Sequence, residues 1–195
     1  MIRISWYLPR TEFLGPGKRF VLWVQGCERR CRGCIAVGLQ DPAGGTPMEI
    51  DALCAEILRT PDIEGVTVSG GEPFLQADAL GALLHRVRAA RPELGTIVYT
   101  GCTYEALRGD PDAAPLLAET DLLIDGEYIA SLDDGRAMRG SSNQRLLYLT
   151  DRYRDVPMPE HRKTELRVEG GSMRLIGIPS EASRQMLRLL QEETP

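Results

Sequence analysis

The chain has 195 residues, 43% hydrophobic and 26% charged, with a formal net charge of −5. That composition predicts one soluble globular domain, its acidic balance argues against general nucleic-acid binding, and no apolar run approaches the ~20 residues of a membrane span. Met1-Ile2-Arg3-Ile4-Ser5 is too short an apolar start for a signal peptide, so a cytoplasmic location is expected, and an odd count of five cysteines does not suit a disulfide scaffold.

Phe20-Val21-Leu22-Trp23-Val24 is a short, wholly apolar run that predicts a strand buried on both faces. It leads directly into Gly26 and the segment Cys27-Glu28-Arg29-Arg30-Cys31-Arg32-Gly33-Cys34. Thr46-Pro47-Met48-Glu49 reads as a helix start, with Thr46 as N-cap, Pro47 in the first turn and Glu49 closing a capping box. Ile50, Leu53, Cys54, Ile57 and Leu58 give that helix one apolar face. Val66-Thr67-Val68 predicts a second strand ending at Ser69-Gly70-Gly71-Glu72, and Leu80, Leu83, Leu84 and Val87 mark a second helix.

Thr96-Ile97-Val98-Tyr99 is the third expected strand, with Thr103 capping a short helix after it. Leu122-Leu123-Ile124 is the fourth, ending at Asp125-Gly126, and residues 144–149 are a fifth. Glu165-Leu166-Arg167-Val168 and Met173-Arg174-Leu175-Ile176 flank Gly170-Gly171 as a β-hairpin, and Ser180 caps a last helix containing Met186, Leu189 and Leu190. Strands alternating with helical connections imply parallel pairing through right-handed crossovers. The strands are too few for an eight-fold barrel. The expected fold is therefore α/β: an open, partial parallel β/α barrel of about five to six strands, with a C-terminal β-hairpin and helix. It forms a single domain over 1–195, with a core of about 13–150 and an extension of about 151–195. Ligands of such sheets sit at the carboxyl ends of the strands. The cysteine loop, Gly70-Gly71-Glu72, Thr100-Gly101 and Asp125-Gly126 all follow strands, which places them on one rim.

Cys27, Cys31 and Cys34 follow the spacing C-x3-C-x2-C and have no fourth ligand nearby. Iron–sulfur clusters take thiolate ligands, and a [4Fe–4S] cube held by three cysteines keeps one iron open for another ligand. Structural zinc requires four closed ligands, and His85 or Cys102 would have to travel to supply one; a zinc-binding interaction module is the rival of a different class. Cys54 lies on an apolar helix face and reads as core. Gly70 and Gly71 allow unusual φ angles and close backbone approach to a ligand, and Glu72 puts on the rim a carboxylate suited to an ammonium group.

The cysteine nest, followed about 35 residues later by Gly-Gly-Glu, resembles the radical-SAM superfamily. The resemblance implies that the Gly-Gly-Glu turn binds the amino group of S-adenosylmethionine, whose amine and carboxylate chelate the open iron. One electron then yields methionine and a 5′-deoxyadenosyl radical. A narrower resemblance covers roughly residues 13–147. Gly15-Pro16-Gly17-Lys18-Arg19, Cys31-Arg32-Gly33-Cys34, Asp41-Pro42-Ala43-Gly44-Gly45, Tyr99-Thr100-Gly101-Cys102-Thr103-Tyr104-Glu105, Asp125-Gly126 and 139–145 look like the anaerobic ribonucleoside-triphosphate reductase activating proteins. Pyruvate formate-lyase activating enzymes are more distantly similar. The resemblance implies hydrogen abstraction from a glycine Cα in a glycyl-radical partner enzyme.

On that reading Asp125 is a candidate ligand for the ribose or methionine end of the cofactor, and Asn143 for the cofactor or the partner backbone. Arg29, Arg30 and Arg32 suit the docking of an acidic flavodoxin or ferredoxin electron donor. Ile35-Ala36 replaces a His/Tyr-Asn pair common in the superfamily. With the long C-terminal segment, this favours an alternative in which a peptide or small molecule is modified directly.

Overall fold

The computed structural model describes residues 1–169, 172–180, 183, 185, 186 and 189. The chain opens with strand β1 (Ile2–Thr11), which turns through residues 12–18 into β2 (Arg19–Val24). After the cysteine loop come β3 (Thr46–Met48) and helix α1 (Ile50–Arg59), then β4 (Gly65–Gly70), α2 (Ala77–Ala90) and β5 (Gly95–Tyr99). Two short helices, α3 (Tyr104–Arg108) and α4 (Ala114–Ala118), lead to β6 (Leu122–Asp125) and β7 (Arg145–Tyr148). A separate hairpin, β8 (Thr164–Glu169) and β9 (Ser172–Gly177), follows.

The first seven strands form one open sheet in the order β3-β1-β2-β4-β5-β6-β7. β2, β4, β5 and β6 are parallel and lie side by side in chain order, so right-handed crossovers put α1, α2 and α4 on the same face. Alternation along each strand sorts the side chains. Phe20, Leu22, Val24, Val66, Val68 and Val98 face the helices and pack with Leu53, Ile57, Leu80 and Leu84. Ile97, Leu122 and Ile124 face the other way and are covered by Met138 and Tyr153.

Arg19 also lies on that second face and is fully buried. Its guanidinium donates to Thr67 Oγ1 (3.2 Å), Tyr153 Oη (2.7 Å) and the carbonyls of Val66 and Gly95 (both 2.8 Å). A cation so enclosed is tolerated only because its donors are met by hydrogen-bond acceptors.

Five strands and the hairpin fall where the sequence predicts them. Three features differ. β1 was not expected, and it pairs antiparallel with both β2 and β3. Residues 46–48 form an edge strand rather than a helix start: Pro47, which has no N–H to give a ladder, is tolerated at an edge, and Glu49 with extended φ/ψ is the residue that precedes α1. β7 runs antiparallel to β6 because residues 126–144 contain only a short 3-10 turn and return the chain without a crossover helix.

Ser180 Oγ accepts the Ser183 N–H at 3.2 Å, and Met186 and Leu189 are helical, in keeping with the expected final helix; Leu190 lies outside the described residues. Among the described residues no helix is long and apolar enough to cross a membrane.

Candidate iron–sulfur site

The cysteine loop is closed at its neck by backbone and side-chain bonds. Gly26 N–H donates to Leu39 C=O (2.8 Å) and Cys27 N–H to Gln40 C=O (3.0 Å). The Gln25 amide, buried at the end of the neck, donates to Asp41 C=O at 2.8 Å and to Gly38 C=O at 3.3 Å. Residues 27–40 therefore leave the sheet and return to it at one fixed point, with all three cysteines on the excursion. Cys27, Cys31 and Cys34 line one cleft together with Gly70, Gly71 and Glu72.

The second motif is fastened to the same neck. Gly71 N–H donates to Val24 C=O and Glu72 N–H to Gly26 C=O, both at 2.8 Å. Gly70 has φ +108°, a conformation that favours glycine. A Cβ on Gly71 would stand 2.1 Å from Gly26 O. Both glycines thus let the end of β4 press against the root of the cysteine loop. Gln76 completes the junction: its Oε1 accepts Arg3 N–H at 2.7 Å, and its Nε2 donates to Arg3 C=O (3.0 Å) and Gln25 C=O (3.1 Å).

Glu72 is buried, at 4% exposure. Its Oε1 accepts Thr100 Oγ1–H (2.7 Å) and Phe74 N–H (3.1 Å), and its Oε2 accepts Gly101 N–H at 2.9 Å. Arg29 Nε lies 3.8 Å from Oε2, which joins the cysteine loop to the ends of β4 and β5. An oxygen with one firm donor retains acceptor capacity towards the cleft.

The thiols have distinct surroundings. Burial pushes the Cys27 thiol up, while the Arg29 and Arg30 backbone N–H groups pull it the other way. Burial pushes Cys31 up to about 11, and the Glu127 carboxyl adds to the rise. Ala36 N–H points at Cys34 Sγ over 3.3 Å. These amide donors, aimed at sulfur, suit thiolate ligands, so the donor set fits an iron–sulfur cluster. Among the described residues no three His, Cys, Asp or Glu side chains are gathered as they would be about a single ion. His85 Nδ1 instead lies 2.9 Å from Glu119 Oε1.

Asp125 and Asn143 stand apart from the cleft lining. Asp125 is buried and engaged by Arg145, whose Nε is 2.9 Å from its Oδ1, and by Tyr104 N–H at 2.7 Å from its Oδ2. Exposed Asn143 donates to Glu127 C=O at 2.8 Å. The next residue, Gln144, does line the cleft; its Nε2 donates to Gly126 C=O and its Oε1 accepts Gly140 N–H, both at 2.8 Å. Gln25 and Gln76 carry no sequence signature, since their bonds reach distant segments, and Gln144 lies in the 139–145 segment without its bonds being legible there.

Trp23 forms another part of the cleft and stacks on Trp6, with ring centroids 4.0 Å apart and planes at 1°. Arg174 of β9 lies over the other face of this pair, 4.8 Å from the Trp6 centroid.

Residues 13–147 match the family described as the 4Fe-4S single cluster domain, the class of protein that the cysteine loop on this sheet defines. Anaerobic ribonucleoside-triphosphate reductase-activating proteins are similar over most of the chain. That of Enterobacteria phage T4 is 32% identical over 141 residues, 70% of this chain and 88% of the phage protein. That of Vibrio cholerae is 33% identical over 145 residues, 71% and 92% of the two chains. That of Escherichia coli K12 is 32% identical over 149 residues, 71% and 93%. The chain belongs to the family of anaerobic ribonucleoside-triphosphate reductase-activating proteins.

Proposed function

We propose that this protein is a radical-SAM activating enzyme that installs a glycyl radical on an anaerobic ribonucleoside-triphosphate reductase. The observation that carries the reading is the direct stitching of the three-cysteine loop to the Gly70-Gly71-Glu72 turn through Gly26 and Val24. When bound, a [4Fe–4S] cluster supplies the electron that cleaves S-adenosylmethionine to methionine and a 5′-deoxyadenosyl radical, which takes a hydrogen atom from a glycine Cα of the partner.

The chain's own residues bind, orient and shield. Cys27, Cys31 and Cys34 give up their thiol protons to become ligands, so loading releases protons, and the raised Cys27 and Cys31 thiols make it more favourable as pH rises. Glu72 Oε2 offers its remaining acceptor capacity to the ammonium of S-adenosylmethionine, and the bare backbone at Gly70 and Gly71 admits the methionine end. Thr100 Oγ1 and Gly101 N–H fix the carboxylate for that task. Asp125 and Arg145 act from behind, holding the Gly126 turn at the cleft, and Asn143 holds the adjoining loop through Glu127 C=O. Exposed Arg30 and Arg32, beside Arg29, offer positive charge to an acidic flavodoxin or ferredoxin.

The test is electron paramagnetic resonance on the anaerobically reconstituted, reduced protein mixed with S-adenosylmethionine and an anaerobic ribonucleotide reductase, with 5′-deoxyadenosine assayed alongside. A glycine-centred doublet on the reductase is expected. Deoxyadenosine without the doublet would overturn the activating role and transfer the chemistry to a peptide or small molecule. Colourless protein with stoichiometric zinc would overturn the radical chemistry itself.

A further inference from the structure

The match to the 4Fe-4S single cluster domain ends at residue 147, yet the lining of the cleft continues beyond it. Gly177, Ile178 and Pro179 line it together with the cysteines and the Gly-Gly-Glu turn. These residues arrive by a segment with two fastenings. Arg162, with a side chain only 6% exposed, donates to Arg136 C=O at 2.9 Å and to Arg139 and Gly140 C=O, both at 2.8 Å, and pairs with Asp133. It thereby rivets the start of the extension to the loop before β7. Arg174 provides the second, seated on the stacked Trp6–Trp23 pair whose inner ring faces the cleft.

Just past the second anchor Ile176 is wholly buried. Gly177 takes φ +101°, and a Cβ there would lie 2.5 Å from Lys163 O, so the exit from β9 is a fixed turn. Trp6, Arg162 and Arg174 all fall outside the matched region.

We propose that residues 172–179, fastened by Arg162 and Arg174, form an added wall of the cleft, on which Ile178 and Pro179 contact the nucleoside half of S-adenosylmethionine and shield it from water. This rests on the radical-SAM reading of the site. The charged methionine end belongs with Glu72 and the cysteines. Ile178, Pro179 and Trp23 present apolar surface, and the flat, weakly polar part of the ligand is its adenosine.

Anaerobic calorimetric titration of the cluster-loaded full chain tests this, with S-adenosylhomocysteine and 5′-deoxyadenosine as non-cleavable probes. Ile178→Ser should weaken both by about five- to tenfold, the range expected for loss of part of an apolar contact, with no loss of iron. Arg174→Gln alters no residue of the lining and should weaken both probes in the same direction, with Arg174→Lys restoring part of the loss. Backbone amides of 174–180 should exchange hydrogen more slowly when S-adenosylhomocysteine is bound. Wild-type binding that neither variant changes would overturn the wall while leaving the radical-SAM reading intact. A change confined to the KM for the reductase would overturn the nucleoside contact and make the segment part of the partner interface. Wild-type protein with a full cluster and no affinity for either probe would overturn both.

Discussion

Thr100 donates its hydroxyl to Glu72 Oε1 over 2.7 Å, so the carboxylate at the end of β4 is held by the end of β5. The two residues lie 28 positions apart, and neither strand end is oriented without the other. Thr100→Val removes this buried, charge-assisted bond and should cost about 1.5–3 kcal/mol of stability. It should also weaken S-adenosylmethionine binding severalfold with the cluster retained. Glu72→Ala should abolish tight binding and lower the melting temperature further, because Gly101 and Phe74 N–H lose their acceptor as well. Thermal unfolding and anaerobic titration check both; an unchanged affinity in Glu72→Ala removes the role given to that carboxylate.

Cys27→Ala, Cys31→Ala and Cys34→Ala should each abolish reductive cleavage and deplete bound iron. Cys54→Ala should do neither, since Cys54 is packed in the core beside Leu53 and Ile57 on α1; its cost is put at about 1 kcal/mol or less for the small volume removed. Iron analysis and 5′-deoxyadenosine assays separate the two classes, and deoxyadenosine from Cys31→Ala would move the cluster elsewhere.

Gln25→Ala should loosen the neck of the cysteine loop without removing a ligand. The backbone carbonyls of Gly38 and Asp41 lose their amide donor, a defect of about 1–2 kcal/mol. The expected phenotype is faster loss of iron under chelator challenge at unchanged initial content. An iron-release rate equal to wild type would show that the backbone bonds of Gly26 and Cys27 suffice.

Glu105 reports on Arg145. Its hydrogen bonds to the Arg145 guanidinium hold its carboxyl at about 2, below the ordinary 4.5. A carboxyl depressed on folding adds stability above its unfolded value, and this is lost as pH falls through the folded one. This pair's contribution should therefore disappear between about pH 4.5 and pH 2. Arg145→Met should return Glu105 towards 4.5, measured by carboxyl NMR titration, and free Asp125 from its principal partner; a Glu105 titration that stays put would exclude the pairing in solution.

The strands of the parallel core were legible because each is a short apolar run with a motif at its end. Phe20–Val24, Val66–Val68 and Leu122–Ile124 lie within β2, β4 and β6. β1 was not, since Pro9-Arg10 interrupts the pattern and its partners lie in separate segments. Thr46-Pro47-Met48-Glu49 misled because the residue types of a capping box also serve an edge strand, and only the pairing of Pro47 with Arg3 decides between them. At the site, the cysteines and Gly-Gly-Glu stand out by spacing. The sequence could not reveal that Glu72 is shared with Thr100 and Gly101, that Asp125 is engaged by Arg145, or that the cleft borrows a wall from residues 177–179.

Arg19 sits within the segment that matches the 4Fe-4S single cluster domain, residues 13–147, but the hydroxyl it reaches at 2.7 Å belongs to Tyr153, beyond that segment. The family match and the hydrogen-bond network of the interior therefore end at different residues of this chain. A piece cut at residue 147 would retain the cluster ligands and the sheet order, yet leave a guanidinium in its interior without one of its acceptors. The matched segment is not closed upon itself: a cation in its interior is completed by a hydroxyl from residue 153.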